Sequence, residues 1–307
     1  MNNYKAYYSQ NREDLIIEGF FPDVKNGFYV DVGANHPFYH SVTKLFYDKG
    51  WHGINLEPNP MLLKQLQEHR PNDINLMLGI GDVPGKLNLR VYHSRDGLEG
   101  ISTLSQNMKK GYSVNSNPDT KKYSDIEIDL VTLKQLFNEQ KPQHIHFLKV
   151  DVEGFEYEVL KGNDWDKYRP EMICIESNHM IRDWRPVLRK AKYQLVFNDG
   201  INDYYLALES IFRKDYFDYV DIFLSDKPAI SYEVYSKLER IAILEKELEN
   251  AHQRLDVKIH KIEDLKREIE DSRRILEEIT PLRKHIKRQV KRRIEKTSNI
   301  LKTKEQK

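Results

Sequence analysis

Phe28-Tyr29-Val30-Asp31-Val32-Gly33-Ala34-Asn35, read together with Gly53-Ile54-Asn55-Leu56-Glu57-Pro58, decides the fold. In the first stretch an apolar run meets an acid, and a small-residue turn follows. In the second, a helix length later, another apolar run ends in an acid. The pattern is strand, tight loop, helix and second strand, closed by a carboxylate. Doubly wound sheets built this way hold nucleoside-bearing ligands at the carboxyl ends of their strands. Gly33 lets the backbone approach a ligand closely. Glu57 can accept hydrogen bonds from two ribose hydroxyls.

A dinucleotide fold would carry G-x-G-x-x-G, with a pyrophosphate on the helix N-terminus. Here the loop has one glycine, and Asp31 precedes it. An acid at that place repels a pyrophosphate and suits an ammonium-bearing ligand, such as the methionine part of S-adenosylmethionine. The same residues also suit an ordinary turn, because Gly and Asn tolerate left-handed backbone. Further along, His144 to Val150 reads as a strand ending at Asp151 and Glu153, with Gly154 turning the chain. Phe155 to Lys161 is a short amphipathic helix stopped by Gly162. Met172 to Glu176 is a further strand, followed by His179. Strand ends in such sheets gather at one crevice, so Asp31, Glu57, Asp151, Glu153 and Glu176 are expected along one sheet edge. Like charges that close need a cation or raised pKa values. Helix caps and solvated loop acids are the plain alternative for each of them.

At this point the chain resembles a known family. Tyr8-Ser9-Gln10-Asn11-Arg12-Glu13-Asp14-Leu15-Ile16, Tyr29 to Asn35, Leu148-Lys149-Val150-Asp151-Val152-Glu153-Gly154-Phe155-Glu156 and Phe197-Asn198-Asp199-Gly200-Ile201-Asn202 are similar to the FkbM-type methyltransferases. The resemblance covers roughly residues 4 to 225. It implies a class I, S-adenosylmethionine-dependent enzyme, of a kind that typically O-methylates hydroxyls on sugars or natural products. It implies an α/β fold with a Rossmann-like doubly wound sheet, but does not name the acceptor. Combined with the residue reading, it assigns Asp31, Gly33 and Asn35 to the methionine end of the cofactor and Glu57 to the ribose. Ile74 to Asp82 reads as one strand that puts Asp82 near the adenine, although Asp82-Val83-Pro84-Gly85 is equally a turn. The resemblance also implies that Gln10 and Glu13 fold back over the cofactor. Plain helix N-terminal chemistry, with Ser9 as cap, explains them as well.

Methyl transfer to a hydroxyl needs the acceptor oxygen within about 3 Å of the methyl group, and a base for its proton. Asp151 is the first candidate, because it ends the strand beside the cofactor strand. His179 is the second, with an unperturbed pKa near 6.5. Asp151, Glu153 and Glu176 are also candidate ligands for Mg²⁺ or Ca²⁺, hard cations that prefer oxygen. The Asn-Pro-Pro-Tyr-type phrase of N-methyltransferases is absent from the strand ending in Asp151, which disfavours amine acceptors. Lys86 to Tyr92 and Asp125 to Val131 alternate apolar and polar residues as half-buried strands do. The long polar stretch Ser94 to Ser124 between them suits a lid or binding loop. Tyr204 and Tyr205, after the Asn198-Asp199-Gly200 turn, suit either a sugar platform or a hairpin core.

The single cysteine, Cys174, excludes disulfides within the chain and points to a reducing cytoplasm. Met1 to Lys5 opens no signal peptide. No run of 18 apolar residues exists to span a membrane, and no Cys/His spacing suits zinc.

From residue 233 the character changes. Ile241, Leu248, Leu255, Ile262, Ile269 and Leu276 fall seven apart, with Leu244, Ala251, Lys258, Leu265, Ser272 and Ile279 as a second, imperfect seam. This predicts a coiled coil about 63 Å long and self-association through 238–280, in two or three strands. A helix folded back on the catalytic domain is the plainer alternative. Pro281 is expected to break the coil. Residues 282–307 hold 11 Lys or Arg against 2 Glu, a charge of +9 in a chain of +1 overall. With Leu282, Ile286, Val290 and Ile294 as an apolar stripe, this segment suits an anionic membrane surface at the inner face. An acidic partner, nucleic acid as a weaker expectation, or disorder also fit. The expected organisation is therefore a methyltransferase domain at 1–230, a coiled coil at 231–280 and a basic helix or tail at 281–307. Function divides between a sugar O-methyltransferase and a coiled-coil scaffold with an inactive methyltransferase domain.

Overall fold

Alternate residues of each central strand face opposite sides of one sheet, and this builds two cores. Val30, Val32, Leu148, Val150, Ile173 and Ile175 pack on one side. Tyr29, Phe147, Met172 and Cys174 pack on the other. The computed structural model describes residues 5–92, 102–104, 123–178, 180–226 and 229–304. It divides into two units, Met1–Ser236 and Lys237–Lys307.

The first unit starts with β1 (Lys5–Tyr7), α1 (Glu13–Phe20), β2 (Phe28–Val32), α2 (Lys44–Asp48), β3 (His52–Leu56), α3 (Pro60–His69) and β4 (Ile74–Leu76). Next come β5 (Gly79–Ile80), β6 (Gly85–Tyr92), β7 (Ser102–Leu104), β8 (Tyr123–Val131) and α4 (Leu133–Gln140). It continues with β9 (Phe147–Val150), α5 (Glu156–Lys161), β10 (Met172–Glu176), α6 (Arg185–Lys190), β11 (Tyr193–Asn198) and β12 (Asn202–Ala207). A 3-10 segment (Leu208–Tyr219), α7 (Val220–Asp226) and β13 (Ala229–Ser231) lead into α8 (Tyr232–Lys304).

Seven strands form the main sheet in the order β11-β12-β10-β9-β2-β3-β4. β10, β9, β2, β3 and β4 are parallel, while β12 runs antiparallel to both β10 and β11. The chain winds outward through β3 and β4, then returns to lay β9 on the other side of β2. The sheet therefore switches direction between β2 and β9, where doubly wound folds open a crevice. Leu133, Leu136 and Phe137 of α4 with Val159 and Leu160 of α5 cover one face. Ile16, Ile17 and Phe20 of α1 with Phe46 of α2 cover the other. Each such fully buried side chain contributes about 1.5–3 kcal/mol.

The stretch Ile74 to Asp82 is two strands rather than one. β4 pairs with β3 in the main sheet, whereas β5 pairs with β8 in a second, four-stranded sheet of order β5-β8-β6-β7. Glycines sit on either side of the change: a Cβ on Gly79 or Gly81 would come within 2.9 or 2.8 Å of the Leu130 methyl groups, so a larger residue there would displace that side chain. In the second sheet β6 and β8 pair antiparallel from Gly85↔Leu130 to Tyr92↔Tyr123. Their alternation buries Leu89, Val91 and Ile128. It leaves Lys86 on Glu127 at 2.5 Å and Arg90 forked onto Asp125 at 2.8 Å on the outside.

Tyr204 and Tyr205 are buried in the β11–β12 hairpin core, their hydroxyls donating to Asp199 and Asp203. They form no sugar platform.

In the second unit α8 continues through Pro281 to Lys304, where a break was expected. Proline removes one amide donor and crowds the carbonyl four residues back. On this exposed helix water can solvate the freed carbonyl of Glu277, and the Thr280 hydroxyl donates to Leu276 O at 2.5 Å. No helix among the described residues is long and apolar enough to cross a membrane.

Candidate active site

The site grows from Gly33. Its φ of +83° is a conformation glycine adopts freely, and a Cβ there would sit 2.0 Å from the Asp151 carbonyl oxygen. The loop after β2 is thus pressed onto the end of β9. Across it, the Gly33 and Ala34 amides donate to Leu56 O at 3.0 and 3.1 Å, tying the loop to the end of β3. Asn35 follows with φ +54°, and its amide donates to Glu57 Oε2 at 2.7 Å. Glu57 Oε1 accepts from the Asn59 amide at 2.8 Å. Asn59 in turn caps α3 by accepting from Met61 N at 3.0 Å. Glu57 is 4 % exposed, and burial pushes its carboxyl up to about 7 despite the two amide donors.

Behind the loop lies a charge the surrounding pattern conceals. Lys149, inside the apolar strand β9, donates to Gly33 O at 2.8 Å. Its ammonium is 3.3 Å from Asp151 Oδ2 and 3.5 Å from Asp31 Oδ1. Burial alone would lower its pKa, yet the carboxylates of Asp151 and Asp31 outweigh that and hold it above the usual lysine value. Asp31 also accepts from Thr43 Oγ1 at 2.8 Å. Thr43 takes Arg70 Nη1 at 2.6 Å, and Arg70 Nη2 holds Pro37 O at 2.8 Å. One buried network therefore fixes the loops after β2 and at the end of β9.

Glu156 organises the opposite rim. Its Oε1 accepts from the Val152 and Gly154 amides at 3.2 and 2.9 Å. Burial raises its carboxyl to about 7. The turn it holds carries Glu153 at φ +53° and Gly154 at φ +96°. Asp151, Glu153 and Glu176 each offer a carboxylate oxygen, and these lie within 4.8 Å of one another. Burial, then the charges of Asp151 and Glu153, raise Glu176 to about 9.

These loops enclose a cavity with about 820 Å³ of empty space, its mouth included. Gly33, Asn35, Glu57, Asp151 and Glu153 form its polar side. Leu78, Leu87, Leu89, Ile128, Leu130 and Phe155 form an apolar wall. Leu87, Leu89, Ile128 and Leu130 of that wall come from β6 and β8 of the second sheet; of the Ser94 to Ser124 stretch expected as a lid or binding loop, all but 102–104 and 123–124 lies outside the described residues. An apolar chamber with a few convergent polar groups is the usual form of a small-ligand site. A family model described as the methyltransferase FkbM domain matches residues 31–195.

The chain belongs to the FkbM methyltransferase domain family. No curated protein and no solved structure matches it. The FkbM match spans Gly33, Asn35, Glu57, Asp151, Glu153 and Glu176, the residues gathered at or beside the cavity. Other residues anticipated for the site are placed elsewhere. Asp31 is 1 % exposed and points to Thr43 and Lys149 rather than lining the cavity. Asp82 pairs with Lys161 at 2.7 Å, whose hydrogen bond lowers its pKa, and does not line the cavity. Glu13 is buried, accepting from Asn11 N at 2.6 Å and Asn202 Nδ2 at 3.0 Å. Gln10 is exposed, and neither residue lines the cavity. His179 lies outside the described residues.

Lys149 and Glu156 stand in the phrase that carries the family resemblance but received no role from the sequence, and Arg70 was not anticipated. A charge in the middle of an apolar parallel strand was the available signal for Lys149; Arg70, at the end of a helix, offered none. His144, His146 and Glu171 also converge, at the amino ends of β9 and β10. There His146 Nδ1 accepts from the Phe28 amide at 3.0 Å. In the neutral ring the other nitrogen then carries hydrogen, which makes it a donor rather than a metal ligand.

Proposed function

We propose that this FkbM domain transfers a methyl group from S-adenosylmethionine to a hydroxyl oxygen, with a sugar of a glycan or glycoconjugate as acceptor. The carrying observation is that Gly33, Asn35 and Glu57 meet Asp151 and Glu153 around one cavity at the switch between β2 and β9. The cradle fits the cofactor chemically. Gly33, where a Cβ would strike the Asp151 carbonyl, holds the loop against the end of β9, and Glu57 presents an acceptor for ribose hydroxyls with its orientation set by two amides. The apolar wall suits a flat base. When bound, S-adenosylmethionine supplies an electrophilic methyl group and leaves as a thioether.

Asp151 is the base. Its side chain is 38 % exposed, with the Lys149 ammonium on one oxygen. Glu176, raised to about 9, keeps its proton at neutral pH and donates toward Asp151 rather than adding a third negative charge. As the acceptor oxygen bonds to carbon it becomes far more acidic, so a fixed carboxylate suffices to take its proton. A second reading places Mg²⁺ or Ca²⁺ among Asp151, Glu153 and Glu176, favoured by their three converging oxygens.

The test is turnover with labelled S-adenosylmethionine and glycan acceptors, with and without chelator. Label recovered as a methoxy group, falling about 10²–10⁴-fold in Asp151→Asn, supports the reading. Loss under chelation restored by Mg²⁺ supports the cation. Cofactor binding without turnover on any glycan favours a coiled-coil scaffold with an inactive domain.

A further inference from the structure

We propose that residues 241–279 of α8 pair with a second copy of this chain as an antiparallel two-stranded coil. The proposal is independent of the reaction catalysed. The first seam, Ile241 to Leu276, is 50–63 % exposed at every position. The stripe also carries Leu244, Leu265 and Ile279, each about half exposed. An apolar stripe this long needs a partner, and a heptad repeat is complementary to another of its kind.

The weak seam positions choose the polarity. In a parallel, in-register pair each residue faces its own copy. Ala251 would then leave a void, Lys258 would meet a like charge, and Ser272 would bury a hydroxyl pair. Antiparallel pairing with full overlap places Ala251 against the partner's Ile269, Lys258 against the partner's Ile262 and Ser272 against the partner's Leu248. The strong layers become Leu244 with the partner's Leu276, Leu255 with the partner's Leu265 and Ile241 with the partner's Ile279. Every layer then holds at least one large apolar side chain. The Lys258 stem can lie along the isoleucine while its ammonium reaches water. Ile259, a flanking residue 43 % exposed, meets the partner's Ile259 at the centre.

The flanking charges favour this arrangement on balance. Arg254 lies beside the partner's Glu268 and Glu245 beside the partner's Arg273, while one like pair arises, Lys261 beside the partner's Lys261 on a single edge. The parallel pair would make as many attractive contacts but would set Lys261 beside the partner's Lys266 twice, once on each edge. The basic segments that follow Pro281, +9 over 282–307 in each copy, would start side by side at one end of a parallel coil. Antiparallel pairing keeps them at opposite ends. Pro281 falls on the outermost heptad position, away from the seam, where its missing amide does not disturb the contact.

The experiment uses the full chain. Sedimentation equilibrium should give twice the 36.5 kDa chain mass. Leu244→Cys and Leu276→Cys proteins, mixed under reducing conditions and then oxidised, should yield a disulfide-linked heterotypic dimer. Leu276→Cys alone should yield none, because its two copies stand about 48 Å apart. Wild type, whose Cys174 is buried, is the control. Glu245→Cys with Arg273→Cys repeats the test without touching the seam. A monomer, a trimer, or efficient self-linking of Leu276→Cys overturns the proposal.

Discussion

Lys149→Met tests the buried network beneath the cavity. Methionine keeps the aliphatic length and deletes the charge. The Lys149 side chain is 8 % exposed and its partner Asp31 is 1 % exposed, so water cannot replace the ammonium. Removing one member of a buried pair costs about 3–5 kcal/mol, since the other charge is left uncompensated. For a domain of this size each kcal/mol moves Tm by about 2–4 °C, so a fall of about 6–20 °C is expected. Asp31→Asn keeps the shape and the Thr43 contact while removing the stranded charge. The double variant should therefore melt well above Lys149→Met alone, giving a coupling energy of at least about 1 kcal/mol. Thermal melting at pH 7, followed by near-ultraviolet circular dichroism, reads the first unit. A Lys149→Met Tm within about 2 °C of wild type, or strictly additive singles, refutes the reasoning.

Other outcomes follow from the same contacts. Gly33→Ala places a methyl group 2.0 Å from the Asp151 carbonyl at φ +83°; it should cost at least about 1–2 kcal/mol and open the cavity floor, and an unchanged melting curve contradicts this. Asp14, Glu57 and Glu156 are each raised to about 7 by burial. The folded state thus binds more protons than the unfolded state between roughly pH 4.5 and 7, so stability should fall as pH rises through that window. Glu57→Gln should flatten part of this slope, and a Tm that climbs from pH 5 to 7 would count against it. Pro281→Ala restores a helix amide and should stabilise α8 locally by up to about 3 kcal/mol, slowing hydrogen exchange at residues 277–285; unchanged exchange would show that the proline disturbs nothing.

Much of the site was legible because it is written in contiguous phrases. The run ending Asp31-Val32-Gly33 and the run ending Leu56-Glu57 gave β2, β3 and the loop between cavity and sheet. The alternation in Lys86 to Tyr92 and Asp125 to Val131 gave β6 and β8, since period two survives wherever one face is buried. Asp151, Glu153 and Glu176 converge because parallel strands end at a common edge. What stayed hidden depends on register between distant strands. Asp31 sits opposite Lys149 in the sheet, so its carboxylate is consumed by a partner on another strand rather than offered to the cavity. The apolar run Ile74 to Asp82 looks like one strand because hydropathy does not say which sheet a residue joins. Arg70 closes the loop network from a helix end with no local pattern around it. Proline breaks a helix that is packed on all sides, whereas the exposed helix around Pro281 lets water take the freed carbonyl.

The central claim is that Glu57 and the Gly33 loop hold S-adenosylmethionine. Calorimetric titration of the full chain with S-adenosylmethionine tests it most directly. Micromolar binding by wild type, lost in a Glu57→Ala protein that retains its folded spectrum, is the predicted result. Absence of binding by wild type, or undiminished binding by Glu57→Ala, contradicts the account.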